Sequence, residues 1–143
     1  MVKAIPEGFH TVTPYLTVKD LPLMLRFVKG AFGATLTETL DDASGQPLHA
    51  DAIIGDSHVM MGQGRDEWKA MPAQLYLYVE DTDATYQRAL AAGGTSLREP
   101  TDQFYGDRSG GVVDPCGNYW WIATHIEDVG LAEMQRRAAA SMK

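Results

Sequence analysis

The 143-residue chain suits one domain, or two small modules sharing one core, and its 45% hydrophobic and 22% charged content is that of an ordinary globular protein. A net charge of −7 with a pI near 4.9 argues against nucleic acid and anionic membrane as partners. One cysteine excludes an intrachain disulfide and suits a reducing compartment. The N-terminal MVKAIPEGFHTV lacks the apolar run of a signal peptide, and no stretch approaches a membrane span, so a cytoplasmic location is expected.

Taken in order, Val12 to Val18 alternates, with Leu16 and Val18 on one side and Thr13, Tyr15 and Thr17 on the other, which predicts a half-buried strand. Asp20 is placed to cap a helix with Pro22 in its first turn. Leu21, Met24, Leu25, Val28 and Phe32 recur at helical spacing, and Gly33 ends the element. Thr35 to Leu40 reads as β, Asp41 to Pro47 as a loop, and Leu48 to Ile54 as a strand that turns through Gly55-Asp56 into His58 to Met61. Gln63 to Pro72 is a polar linker containing Trp68.

The pattern then restarts. Leu16-x-Val18-x-Asp20 is matched by Leu77-x-Val79-x-Asp81 at an offset of 61, which also carries Gly33 to Gly94 and Met60 to Trp121. Gly106 to Thr124, GDRSGGVVDPCGNYWWIAT, predicts a glycine-rich lead-in, a short strand at Val112-Val113, a tight Asp-Pro-Cys-Gly-Asn turn and an aromatic strand. Val129 to Lys143 has good helix formers and few apolar positions.

The internal duplication, together with a strand–DPxGN–aromatic strand ending, resembles the vicinal oxygen chelate superfamily of glyoxalase I, extradiol dioxygenases, fosfomycin-modifying enzymes and bleomycin-binding proteins. The run DRSGGVVDPCGNYWWIATHIEDV is most similar to its glyoxalase/bleomycin-resistance branch, near the PhnB-like proteins. The resemblance implies an α+β fold of two tandem βαβββ modules whose sheets form a cup, with a C-terminal helix. It implies one domain over residues 1–143: module one 11–62, linker 63–71, module two 72–124, and the helix 129–143. It also implies a homodimer, because family cups are commonly completed across a two-fold axis.

Alternation assigns Leu16, Val18, Ala50, Ala52, Leu75, Leu77, Trp120 and Ile122 to the helix side. It leaves Tyr15, His49, Asp51, His58, Met60, Gln74, Tyr76, Tyr78, Tyr119 and Trp121 for the cup. In enzymes of the superfamily a divalent ion is held from the first and last strand of each module, and those positions here are Thr13, Met60, Gln74 and Trp121. Only Gln74 is a plausible ligand, since a thioether prefers soft ions and an indole coordinates nothing, so no cofactor is expected. The alternative is a divalent ion on relocated ligands, His49, Asp51 and His58.

Aromatic faces in place of donors suit a small planar ligand, oriented by His49, Asp51 and Gln74, with Trp68, Tyr105 and Arg108 as further contacts. The leading expectation is a metal-independent binding protein. The rival is an enzyme, a lyase or isomerase in which His49 and Asp51 act as an acid–base pair, or a metal enzyme with relocated ligands. Cys116, with no histidine beside it in sequence, is a poor nucleophile candidate.

Overall fold

The computed structural model describes residues 2–141. Its elements are β1 (Tyr15–Val18), α1 (Leu21–Phe32), β2 (Thr35–Asp41), β3 (Pro47–Ile54), β4 (Ser57–Gln63), β5 (Gln74–Tyr78), α2 (Thr82–Ala91), β6 (Thr95–Asp102), β7 (Asp107–Val113), β8 (Tyr119–His125) and α3 (Leu131–Ser141). The last two residues of the expected C-terminal helix, 142 and 143, lie outside the described residues. The strands form two four-stranded sheets, ordered β1-β4-β3-β2 and β5-β8-β7-β6, so the expected α+β arrangement of tandem βαβββ units is what the chain adopts.

The duplication is visible in the register. β1 runs parallel to β4 with Tyr15 opposite Met60, and β5 runs parallel to β8 with Tyr76 opposite Trp121. In the β3–β4 hairpin, Asp51 faces Met60 and Ile53 faces His58, as alternation through the Gly55-Asp56 turn requires.

α1 and α2 each begin on an aspartate. Asp20 Oδ1 accepts from Leu23 N at 3.1 Å, and Asp81 Oδ1 accepts from Ala84 N at 3.0 Å, each satisfying an N–H with no partner inside the helix. α1 ends at Gly33, whose φ of 65° is left-handed and open to glycine at little cost. Leu21, Met24, Phe27 and Val28 of α1 are fully buried with Ala50 and Met61 of the first sheet and Val112, Trp120 and Ile122 of the second. Trp120 meets the Phe32 ring at 4.9 Å between centroids, so the two sheets share one core around the helices. Their outer faces therefore look away from that core. Among the described residues no helix is long and apolar enough to cross a membrane.

The Asp114–Asn118 turn fixes which tryptophan goes inward. Asp114 is buried and accepts four N–H bonds: Oδ1 from Cys116 N at 2.7 Å and Asn118 N at 3.0 Å, Oδ2 from Asn118 Nδ2 at 2.9 Å and Trp120 Nε1 at 2.7 Å. Asn118 Oδ1 in turn accepts from Ala73 N at 2.9 Å, tying the turn to the start of β5. With Trp120 anchored to the core side, alternation sends Trp121 to the outer face.

Two expectations need adjusting. The glycine-rich lead-in to Val112 is itself strand, since β7 runs from Asp107 to Val113. Gly111 lies against the Trp121 ring, where an added Cβ would sit 2.4 Å from the indole, so aromatic cover replaces the missing side chain. The first strand starts at Tyr15 rather than Val12, because its parallel pairing with β4 begins there, with Met60 N donating to Pro14 O at 2.9 Å.

Candidate functional site

The expected site residues fall into two groups, one on each outer face. On the first sheet, the Tyr15 side chain crosses Gly62 and its Oη lies 3.2 Å from His49 Nδ1. Asp51, only 4% exposed, pairs with His58 rather than with His49: Oδ2 lies 2.6 Å from His58 Nδ1 and accepts from Thr37 Oγ1 at 2.7 Å. Its Oδ1 is buried without a partner among the described residues. The N-terminal arm covers this pair, with the Phe9 ring stacked on the His58 imidazole at 3.8 Å and an angle of 21°. Asp51 and His58 thus sit under a lid of chain rather than lining an open hollow, which periodicity within the strands cannot reveal. Met60 is half-buried on the same sheet.

On the second sheet, one row runs across four strands. Tyr76 is opposite Trp121, Trp121 opposite Gly111, and Gly111 opposite Arg98. Trp121 Nε1 donates to Gln74 Oε1 at 2.6 Å, and the Arg98 guanidinium carbon lies 5.1 Å from the indole centroid. Arg98 Nη2 also donates to Ser109 Oγ at 2.7 Å. Gln74, Tyr76, Arg98 and Trp121, with Leu75 and Tyr105, line a cavity of about 410 Å³, within the size range of small-molecule sites.

A larger wedge of about 1120 Å³ lies on the other side of β5, between Leu77, Val79 and Trp120 and the Gly55–Ser57 turn. It exists because β5's inner row is only half-buried. Its lining mixes apolar residues with Asp56, Glu80, Asp81, Arg88 and His125, and Trp121, Gln74 and Arg98 are not part of it.

Asp107, 3% exposed, closes one end of the second face. Tyr76 and Tyr78 donate to its Oδ2 at 2.7 and 2.9 Å, and His125 Nδ1 lies 2.9 Å from its Oδ1. Burial alone would push this carboxyl up, but the His125, Tyr76 and Tyr78 hydrogen bonds outweigh it and leave Asp107 below the usual range. Burial, then the bond to Asp107, pushes the Tyr76 phenol up, and the Asp107 bond does the same to Tyr78. His125 also meets Asp128 Oδ1 through Nε2 at 2.7 Å, and the two carboxylates, Asp107 first, raise it above the ordinary imidazole value.

The remaining expected residues stand apart. Arg108 is held by Asp83 and Asp102, with Nε 3.0 Å from Asp83 Oδ1 and Nη1 3.0 Å from Asp102 Oδ1, so its charge is spent on tying a loop. Trp68 is 65% exposed on the linker, and Tyr119 is exposed at the start of β8. Burial pushes the Cys116 thiol up, away from thiolate chemistry.

Sequence reading passed over Arg98, Asp107 and His125. Arg98 lies on a strand whose alternation is broken by register shifts, and His125 looks like an element end. The offset of 61 gives Trp121 from Met60 but points Asp51 to Val112; the register shows that the counterpart of the Asp51–Met60 pair is Gly111–Trp121, whose row ends on Arg98.

The superfamily's metal positions do not fit a divalent ion here. Gln74 Oε1, the one suitable donor, already accepts from the Trp121 N–H, and Met60 and Trp121 offer a thioether and an indole where hard or borderline donors are needed. Among the described residues, no three His, Cys, Asp or Glu side chains converge as ligands.

Comparison with known proteins places this geometry. The model of the Glyoxalase/Bleomycin resistance protein/Dioxygenase superfamily matches residues 8–122. Uncharacterized protein Mb0911c of Mycobacterium bovis is 32% identical over 135 residues, covering 87% of this chain and 89% of its own. Uncharacterized protein Rv0887c of Mycobacterium tuberculosis is also 32% identical, with 87% and 79% covered. The crystal structure of TioX from Micromonospora sp. ML1 superposes with a TM-score of 0.71 at 24% identity, covering 82% of this chain and 99% of that one. A glyoxalase-related enzyme from Fulvimarina pelagi gives 0.66 at 22% identity, covering 80% and 87%.

Proposed function

The chain belongs to the glyoxalase/bleomycin resistance protein/dioxygenase superfamily, and from that premise we propose that it binds a small planar organic molecule on the second sheet without the superfamily's divalent ion. The observation that carries this reading is the Trp121–Gln74 bond: where a metal enzyme presents two donors to an ion, this chain presents an indole whose N–H occupies the remaining donor. An aromatic wall with a few fixed polar groups is the usual form of a site for flat ligands.

The reading includes a homodimer, in which one copy's first sheet closes over the other copy's second. It is supported by Tyr15, Tyr76, Tyr78 and Tyr119, which stand exposed on outer faces that the single chain leaves uncovered. It also includes a place near the PhnB-like branch and a cytoplasmic setting, supported by the GDRSGGVVDPCGNYWW run and the single cysteine.

A second reading, an enzyme of the lyase or isomerase kind, is favoured by one observation, the buried Asp51 carboxylate at 2.6 Å from His58. In that reading His58 takes the partner role first assigned to His49, and Phe9 must move to admit substrate.

Thermal shift and tryptophan fluorescence across a panel of flat heteroaromatic molecules test the first reading. Binding that is lost in Trp121→Ala and kept in Asp51→Asn supports it. Binding or turnover that depends on Asp51 and ignores Trp121 supports the second.

A further inference from the structure

We infer that Arg98 makes the Trp121 cavity a site for an aromatic carboxylate. The inference rests on the reading that this cavity holds the ligand, and names the chemical class it takes.

Among the described residues Lys3, Arg108, Arg136 and Arg137 meet a carboxylate, and the other lysines and arginines, Arg98 among them, do not. Arg98 forms no ion pair among the described residues: its contacts are Ser109 Oγ and the Trp121 ring. It is also the one charged residue lining the 410 Å³ cavity. A guanidinium has five N–H donors in a planar fork that matches a carboxylate, and here one hydrogen bond is made.

The neighbouring polar groups point the same way. The Gln74 carbonyl oxygen is occupied by Trp121 Nε1–H, which leaves its amide N–H donors for a ligand. The Tyr76 hydroxyl proton is given to Asp107, so toward the cavity Tyr76 can only accept. The donors on offer are Arg98 and the Gln74 amide, beside the Trp121 and Tyr105 rings, and Arg98 carries the one full charge. The complementary molecule is flat, apolar over most of its surface and rich in acceptors at one end. The volume suits one or two fused rings bearing a carboxylate.

The first sheet supplies an internal contrast. The row equivalent to Tyr76–Trp121–Gly111–Arg98 is Tyr15–Met60–Asp51–Glu38. At the last two positions the duplicated unit carries two acids where the second carries a glycine and an arginine. The anion preference therefore belongs to the second sheet alone.

Isothermal titration of the full chain with 2-naphthoate and with 2-naphthamide, its neutral isostere, tests the inference. The expected result is binding of the acid about tenfold or more tightly than the amide, the usual weight of a charge-assisted hydrogen bond. Arg98→Gln should erase that ratio while leaving the amide's affinity in place, Arg98→Lys should keep part of it, and Trp121→Ala should weaken both ligands. Equal affinities in the wild type, with both lost in Trp121→Ala, would overturn the anion inference and leave the aromatic site standing. A ratio that survives Arg98→Gln would overturn it too. If neither ligand binds, or binding ignores Trp121, both the site and the inference fall. The wild-type ratio needs no variant, so the inference is decided even if Arg98→Gln does not fold.

Discussion

Trp121 donates its indole N–H to Gln74 Oε1 at 2.6 Å, across the parallel pairing of β8 and β5. The bond pins the ring's orientation on the outer face and uses the carbonyl that a cation would need. Trp121→Ala is expected to remove the main contact surface and to weaken a flat ligand by roughly 2 kcal/mol or more, about thirtyfold. Gln74→Ala should cost less, about 1 kcal/mol, because the freed N–H can turn to water. Calorimetric titration of the two variants checks the ranking.

Gly111 is the floor on which Trp121 rests. A Cβ there would meet the indole carbons at 2.4 and 2.6 Å, so Gly111→Val must displace the ring. The expected outcome is a shifted tryptophan emission and ligand affinity reduced to the level of Trp121→Ala. The fold should persist, since the clash is with a half-exposed side chain. Unchanged emission and affinity would show that the ring's placement does not matter.

Asp114 holds the closing turn together through four accepted N–H bonds, including that of the buried Trp120. Asp114→Ala leaves those donors buried and unpaired, and is expected to destabilise the chain by about 2–4 kcal/mol. Urea unfolding should show a lower midpoint with little change in slope.

His125 clamps the approach to α3 between Asp107 and Asp128, and both its ring nitrogens face carboxylates. Its folded value lies above the ordinary 6.5, so folding strengthens proton binding. The clamp's contribution is complete below that value and is lost as pH rises through the higher folded value. Asp107 runs the other way: its folded value lies below 3.8, so its contribution is present above that pH and lost on further acidification. The urea midpoint should therefore fall on the alkaline side of about pH 6.5, and His125→Gln should flatten that limb and also weaken the acid limb, because His125 is one of the partners that hold Asp107 down.

Much of this architecture was legible in the chain. Two aspartate caps, Gly33 and the Asp-Pro-Cys-Gly-Asn turn are local signals whose physics needs no tertiary partner, and the offset of 61 carried the parallel register from Tyr15–Met60 to Tyr76–Trp121. The site was less legible, for two reasons. Alternation gives the face of a residue but not its neighbours, so Asp51 was set beside His49 although the pair it forms is with His58, under Phe9. A glycine in a strand says nothing alone. Gly111 makes sense only once Trp121 is seen lying on it and Arg98 reaching the same ring.

The central claim is that an organic ligand is held by contact with Trp121 and its neighbours and not through a bound cation. The direct measurement is titration of 2-naphthoate into the intact chain with and without a strong chelator. The account predicts one affinity in both conditions, lowered about thirtyfold in Trp121→Ala. An affinity abolished by the chelator and restored by a divalent ion would contradict it.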